Sequence, residues 1–315
     1  MRRTAILIMS LLVASLVLFL LLRLLPGDPA AALLSVGADQ AQIEAARAQV
    51  GSDLPIAKQF ASFLADMFRL DLGTSFVNNA SVLDEIGARL TVTIPLALIG
   101  FMLSMMIAVP LGIISGVNTD RWYAQVISVI SQVGLAVPAF WMGILLVLVF
   151  SIKLGWLPSG GYPASGWDKP GSVLTSLVLP AITIALIIAA SQLRYVRSAT
   201  LDVLGSDYMR TARAMGASFP EAFMRHGLPN GSIPVISILG IELSTAFLGA
   251  VVIERVFTLP GLGSMLLTAI EQRDYPNIQG VLMISTLLVL IVGFLADVLQ
   301  RIIDPRLRQS KGLMQ

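Results

Sequence analysis

The chain contains no cysteine and a single histidine, His226, among its 315 residues. The first absence excludes disulfides, thiolate metal sites and a cysteine nucleophile together. The second excludes a bis-imidazole haem site or a multi-histidine metal cluster within one chain. Charge is scarce as well: Asp, Glu, Lys and Arg make up 13% of the residues, where a soluble domain carries about 25%. No phosphate-binding loop of the form G-x-x-x-x-G-K-S/T and no G-x-S-x-G nucleophile elbow is present in the sequence. The expectation is a chain that is not itself an enzyme and carries no cofactor or metal of its own. Energised work would draw its chemistry from another chain.

What is abundant is apolar surface: hydrophobic residues reach 56% and the mean hydropathy is +0.83. Six apolar runs, roughly 4–25, 91–116, 127–154, 173–196, 233–253 and 278–303, are each long enough to cross a hydrocarbon core of about 30 Å as a helix. Strands of a membrane barrel would alternate over about ten residues instead. The expected fold is all-α and polytopic, with six transmembrane helices. Arg2 and Arg3 before the first run would also suit a secretory signal, but a signal core spans about 7–15 residues. Here the apolar stretch continues to Leu22, so a retained first helix is expected, with Arg23 snorkelling to the outer interface.

Basic residues in short loops set sidedness. With the N-terminus inside, Arg2, Arg3, Arg121, Arg194, Arg197, Arg210, Arg213, Arg225, Arg301, Arg306, Arg308 and Lys311 share one face. The opposite short loops hold Lys153, Lys169, Arg255 and Arg273. Both termini are therefore expected to be cytoplasmic. The formal net charge of +2, without a basic stripe interleaved with aromatics, gives no sign of nucleic acid as a partner. The chain divides into a first transmembrane helix at 1–25, an extracytoplasmic insertion at 26–90, a five-helix core at 91–305 with a cytoplasmic loop at 197–232, and a cytoplasmic tail at 306–315.

Within the insertion, 39–49 has helical propensity, and Ile56, Phe60, Phe63 and Met67 stand at alternating four- and three-residue steps, the pattern of an amphipathic helix. Residues 82–90 read as a helix leading into the second span. Pro95, Pro110, Pro138 and Pro180 fall inside apolar runs, where proline shapes or kinks a helix and can act as a hinge. Between the fourth and fifth runs, Ser206-Asp207 offers an N-cap before a helix from Tyr208 to Met215. Gly216 suits a left-handed position after it. Ser218-Phe219-Pro220-Glu221 then has the S-x-x-E spacing of a capping box. Two short helices meeting at a glycine corner are expected, with Arg210, Arg213 and Arg225 exposed either as sidedness charges or as partner contacts.

This segment resembles the cytoplasmic loop of integral-membrane subunits of binding-protein-dependent ABC importers, in which E-A-A is followed after three residues by G, and after nine more by I-x-L-P. Arg210-Thr211-Ala212 stands at the E-A-A positions, Gly216 at the glycine and His226-Gly227-Leu228-Pro229 at the end, with both spacings intact. Arg210 departs from the glutamate, and R-T-A-R-A-x-G is similar to the peptide and nickel branch of these permeases. Further blocks of that branch are resembled by Leu25-Pro26-Gly27-Asp28-Pro29, Asp71-Leu72-Gly73-Thr74-Ser75, Val137-Pro138-Ala139-Phe140-Trp141 and Leu154-Gly155-Trp156-Leu157-Pro158-Ser159-Gly160-Gly161-Tyr162. Glu254 to Gly263, Arg273-Asp274-Tyr275-Pro276 and Asp304-Pro305-Arg306-Leu307-Arg308 continue the series.

The resemblance implies a type I ABC importer permease bundle in the inner membrane. A second homologous permease, two ATP-binding subunits carrying ATP and Mg, and an extracytoplasmic solute-binding protein would accompany it, within membrane lipid. It further implies that Tyr208, Arg210, Thr211, Ala212, Arg213, Ala214, Gly216, Leu228 and Pro229 form the loop that docks on an ATPase. The implied cargo is a di- or oligopeptide, with nickel chelate, haem or glutathione as alternatives.

Glu242 falls near the middle of the fifth run, where inserting a charged residue costs about 2.5–3.5 kcal/mol. It lies either on the translocation path, facing cationic or amino-terminal parts of cargo, or at a packing contact where it is protonated or hydrogen-bonded. Glu254-Arg255 and the stretch to Pro276 read as a re-entrant or interfacial element on the outer face. An ion-coupled secondary transporter is the alternative of a different class. It would need coupling groups at broken helices and often shows a repeat. Glu242 is a candidate group, but no repeat is evident and the 206–229 segment would have no role.

Overall fold

Hydrocarbon offers no partner to a backbone amide, so an apolar run must satisfy its own hydrogen bonds as a helix. The computed structural model describes residues 2–24, 40–50 and 53–303. Pro26, Gly27, Asp28 and Pro29, the closing block at 304–308 and the tail at 306–315 lie outside the described residues. The helices are α1 (Arg2–Leu24), α2 (Gln40–Val50), α3 (Ile56–Phe68), α4 (Val82–Val117), α5 (Trp122–Ala136), α6 (Ala139–Leu146), α7 (Pro170–Leu204), α8 (Asp207–Ala214), α9 (Phe219–Ala222), α10 (Leu228–Val256), α11 (Leu262–Gln272) and α12 (Tyr275–Ile303). Among the described residues the only strand-like pairing is the Thr74–Ser81 bridge. The fold is all-α, and α1, α4, α7 and α12 are each long and apolar enough to span a membrane alone. Two bent helix pairs bring the number of spans up to six.

The third apolar run is not the single straight span that its length suggests. It breaks into α5 and a second limb, Ala139–Lys153, whose axes differ by 109°. Pro138 has no N–H to give the ladder and pushes its predecessor out of helical geometry; Val137 accordingly sits at φ −83°, ψ 123°. The fifth run bends by 44° between Phe219–Ile236 and Ile238–Val256. Pro234 lies just before that bend, inside α10, and frees a carbonyl one turn earlier. By contrast Pro95 and Pro110 sit inside a continuous α4 and Pro180 inside a continuous α7.

The chain forms two compact units, Met1–Val92 with Pro260–Ile291, and Thr93–Leu259 with Val292–Gln315. In the first, α3 lies against α1 through the expected amphipathic face. Phe60 and Phe63 pack on Phe19 with ring centroids 5.4 and 6.0 Å away. Arg23 stands over the same Phe19 ring and donates to Gln59. A second cluster joins Val82 and Ile86 of α4 to Leu262 and Met265 of α11 and Val281 of α12.

Beside that cluster, Asp274 at the head of α12 is 1% exposed. It accepts hydrogen bonds from Ser75 Oγ at 2.5 Å, the Phe76 N–H at 3.1 Å and Asn277 Nδ2 at 2.9 Å. Two of the sequence blocks, Asp71–Ser75 and Arg273–Pro276, thus meet at one buried carboxylate.

In the second unit α7 is the central helix, packed by α5, α6 and α10. α4 approaches it along three glycines. A Cβ on Gly100 would lie 2.7 Å from Ile184 Cγ2, on Gly112 2.6 Å from Val196 Cβ, and on Gly116 2.8 Å from Thr200 Cβ. These distances leave no room for a side chain, and the reward is close van der Waals contact between apolar helices. Two other blocks meet here as well. The Gly161 N–H, at φ +86°, donates to the Phe257 carbonyl at 2.8 Å, and a Cβ on Gly160 would lie 2.5 Å from that oxygen. The neighbouring Tyr162 phenol is pushed up in pKa by burial.

Two outcomes follow from this packing. Gly112→Val is expected to destabilise the protein by about 1–3 kcal/mol through overpacking, whereas Gly249→Ala, with open space around its Cβ, is expected to change little. Thermal unfolding in detergent reads both, and equal melting temperatures would refute the glycine seam. Asp274→Ala strands three donors, each costing about 1–3 kcal/mol when buried and unpaired. It is expected to loosen residues 71–78, measured as faster proteolytic cleavage there.

Candidate functional site

The segment from 206 to 229 builds its shape from local chemistry. Ser206 occupies the N-cap of α8 with extended backbone, φ −76° and ψ 150°. Its hydroxyl does not cap the helix; it donates back to the Val203 carbonyl at 2.5 Å. Asp207 begins the helix, and its carboxylate stands 3.6 Å from the Arg210 guanidinium on the exposed surface, a pair that contributes little to stability. α8 ends as expected. The Ala217 N–H donates to the Ala212 carbonyl and the Gly216 N–H to the Arg213 carbonyl, with Gly216 at φ +95°. This pair of bonds is the glycine-terminated Schellman arrangement.

α8 has two unlike faces. Met209 and Ala212 are 3% exposed and join Val203 of α7, Ala222 of α9 and Phe223 in one apolar cluster, with Ile113 and Val117 from the end of α4 packed against it. Tyr208, Arg210, Thr211, Arg213, Ala214 and Gly216 are exposed. Met215 next to them is 77% exposed and Met224 is 62% exposed. The Arg213 guanidinium stands 6.0 Å over the Phe219 ring. Of the residues singled out in sequence, Ala212 therefore faces inward, while the others just named face solvent.

The second short helix differs from expectation. Ser218 does accept from the Glu221 N–H at 3.4 Å, but the helix that it caps is not a separate short one. α9 runs through a π-helical turn, Phe223–Gly227, directly into α10. Pro229 falls in the first turn of α10, directly after the π-helical turn, so its missing N–H is a bond lost within the continuous Phe219–Ile236 helix. Leu228 and Pro229 are exposed. The one sharp corner of the segment is Gly216.

At membrane depth, Glu242 on α10 is 7% exposed and accepts from Ser191 Oγ on α7 at 2.8 Å. Sequence reading singled out this carboxylate but not its partner. It also passed over Gln192, 3% exposed, whose Oε1 accepts from Ser104 Oγ of α4 at 3.0 Å. Glu254, expected in an interfacial loop, is instead fully buried in the last turns of α10 and accepts from Thr93 Oγ1 at 2.6 Å. Arg255 also belongs to α10; the separate short element begins at Leu262 with α11. Polar residues inside apolar runs were the available signal for Gln192.

Comparison with known proteins bears on what this arrangement does. Residues 108–309 match the family described as "Binding-protein-dependent transport system inner membrane component", and residues 1–97 match its N-terminal membrane component. The chain is 38% identical over 308 residues to a protein of Brucella abortus (strain 2308) named "Putative peptide transport system permease protein", covering 98% of each chain. It is 37% identical over 302 residues to the glutathione transport system permease protein GsiC of Escherichia coli (strain K12), covering 96% of each. Both family models and both relatives extend over the helices described above, so the chain belongs to the binding-protein-dependent transport system inner membrane component family and is a multi-pass permease subunit of an ABC importer.

Proposed function

We propose that this permease carries di- or oligopeptides inward, with both termini cytoplasmic, and that α8 is the element an ATP-hydrolysing partner grips. The observation that carries the docking reading is the shared cluster. Met209 and Ala212 of α8 pack with Val203 at the end of α7 and with Ala222 and Phe223 at the approach to α10, and the end of α4 packs against them. A force applied to α8 therefore reaches three spans at once. The exposed face, with Tyr208, Arg210, Thr211, Arg213 and Ala214 flanked by Met215, Met224, Leu228 and Pro229, mixes charge and soft apolar surface. That mixture suits a groove on a partner protein.

The machine would contain a second homologous permease, two ATP-binding subunits holding ATP and Mg, and an extracytoplasmic solute-binding protein. Nucleotide on the partner acts on this chain only by favouring one of two conformations. Exposed apolar stripes remain on α5 at Val126, Val129, Ile130 and Val133, and on α10 at Ile241, Leu248 and Val252. Lipid and the second permease would cover them. The peptide cargo is supported by the names of the Brucella relatives and glutathione by those of the Escherichia relatives; peptide is preferred because the branch resembled in sequence points the same way. Glu242, held by Ser191 between α7 and α10, would face cationic or amino-terminal parts of the cargo.

Two variants test these assignments. A β-branched residue at Gly216 is disfavoured at positive φ by about 1–2 kcal/mol, while its Cβ would meet nothing within 4 Å. Gly216→Val is thus expected to leave membrane insertion intact but to cut substrate-stimulated ATP hydrolysis of the reconstituted complex about tenfold; normal stimulation removes the docking role. Glu242→Gln keeps the shape and removes the charge, and it is expected to change the ranking of peptides taken up in competition assays. An unchanged ranking assigns Glu242 to packing alone.

A further inference from the structure

Two neighbouring helices of the first unit measure how deep α3 sits. The uncharged stretch of α1, from Thr4 to Leu22, lies between Arg3 and Arg23. At 1.5 Å per residue it is about 28 Å long, close to the whole hydrocarbon core of about 30 Å. Arg23 therefore marks one edge of the core, and Ser15, eight residues earlier, lies about 12 Å inside it. α3 touches α1 at successive levels: Gln59 accepts from Arg23, Phe60 and Phe63 pack on Phe19, and Met67 Sδ stands 3.6 Å from Ser15 Oγ. The step from Gln59 to Met67 thus matches the step from Arg23 back to Ser15, eight residues each. A helix lying flat on the membrane would meet α1 at one level only, whereas α3 descends beside it.

The second measure is α12, and it traces the way back. Met283 Sδ is 3.9 Å from the same Ser15 hydroxyl, which puts Met283 and Met67 at one level. Leu72 comes next, its Cδ1 3.5 Å from where a Cβ on Gly280 would lie, and Ser75 then donates to Asp274 at the head of α12. Between 67 and 75 the chain therefore climbs from the level of Met283 to that of Asp274, nine residues of helix and about 13 Å. Leu70 at φ 57° and Gly73 at φ 74° make the turn, and the Asp71 carboxylate accepts from the Gly73 N–H at 3.1 Å. Non-helical backbone at this depth needs water or protein beside it.

α3 carries three stripes to that depth, and one of them faces α1. Lys58, Ser62, Asp66 and Arg69, at helical spacing, form an exposed polar stripe. Ala57, Ala61, Leu64 and Phe68 form an apolar one, of which Ala57, Ala61 and Phe68 are exposed, Phe68 by 71%. Hydrocarbon suits the apolar stripe, but Asp66 and Arg69 would be costly in it. We propose that residues 56–75 form a re-entrant loop. Its apolar stripe is seated in the acyl chains of the leaflet at the Arg23 end of α1, and its polar stripe faces a water-filled recess open to that side. Lipid is the occupant of the apolar stripe because α1, the helix that carries α3, is itself almost wholly uncovered within the protein, with Leu16 and Leu20 exposed beside the Ser15–Phe19 contact line. A segment that reads as an insertion outside the membrane is thereby held within it.

The chain has no cysteine, so single cysteines can carry a nitroxide label without background. The full-length chain with its co-purifying subunits is labelled in liposomes. Power-saturation spectroscopy then reads each label's exposure to oxygen, which concentrates in lipid, and to a water-soluble nickel chelate. Leu20→Cys on α1 and Asp53→Cys ahead of α3 give the lipid and water references. Ala61→Cys and Phe68→Cys are expected to match the lipid reference, with Phe68→Cys about 10 Å deeper than Ala61→Cys. Ser62→Cys and Asp66→Cys are expected to match the water reference. Ala57→Cys, expected to lie about 6 Å shallower than Ala61→Cys, replaces Phe68→Cys if that variant fails to assemble. Water-like labels at all four positions place α3 outside the membrane, and equal depths at 61 and 68 lay it flat. Low exposure to both reagents at 61 and 68 assigns the apolar stripe to a second protein, and lipid-like values at 62 and 66 remove the aqueous recess. Each of these four results overturns the proposal.

Discussion

Every feature of this chain is constrained by the cost of an unbonded polar group in hydrocarbon. The constraint fixes helices first, and it then governs each polar side chain inside them. Thr183, Thr200, Ser244 and Thr286 donate to carbonyls four residues back, and Ser115 and Ser176 to carbonyls three back. These hydroxyls need nothing from a neighbouring helix. Apart from the Ser104–Gln192 bond, the contacts described between α4 and α7 rest on shape, and glycines at 100, 112 and 116 let the backbones close without a polar penalty. Three hydroxyls reach across, Ser191 to Glu242, Thr93 to Glu254 and Ser104 to Gln192, and each meets an acceptor on a long side chain, a carboxylate or an amide, buried inside the bundle.

The same constraint explains where the chain bends. A proline in a membrane helix frees a carbonyl, and a bend follows where the local packing lets the helix open. α4 and α7 carry Pro95, Pro110 and Pro180 without a break. Pro95 and Pro110 share α4 with the glycine seam, and Pro180 lies in the packed face of α7, where Leu179, Pro180 and Ala181 are all buried. At Pro138 the flanking surface is open, Phe140 and Trp141 being about half exposed, and the chain turns by 109°. Sequence spacing alone does not separate these cases, since all four prolines sit in similar apolar runs.

Much else was legible. The 3.6-residue periodicity located α3 and its aromatic face, and the glycine, serine and glutamate spacing located the end of α8 and the start of α9, because such signals depend on residues within a few positions of one another. The Asp274 site was not legible: Ser75 and Asp274 are 199 positions apart, and nothing local to either names the other. Ser191 and Glu242, 51 positions apart, fall under the same limit. The Ser206 hydroxyl shows a subtler failure. A cap residue was correctly placed, but its oxygen found the Val203 carbonyl one turn behind it, a competing local bond that serine makes readily.

α8 has eight residues, fewer than the roughly 12–15 that an isolated helix needs to be even marginally stable in water. Its helicity is therefore borrowed from the cluster beneath it, through Met209 and Ala212, and from the Schellman bonds at Gly216. A helix that exists only while docked cannot be moved as a loose arm. Any partner that binds the exposed face of α8 must displace the cluster with it, or unwind the helix and lose its own binding surface. Because Val203 belongs to α7, Ala222 and Phe223 lead into α10, and Ile113 and Val117 end α4, the lower-energy response is to shift these helix ends together. The short, weak helix is thus better suited to passing a displacement into the membrane than a long, self-sufficient one, which could detach from the cluster and remain folded.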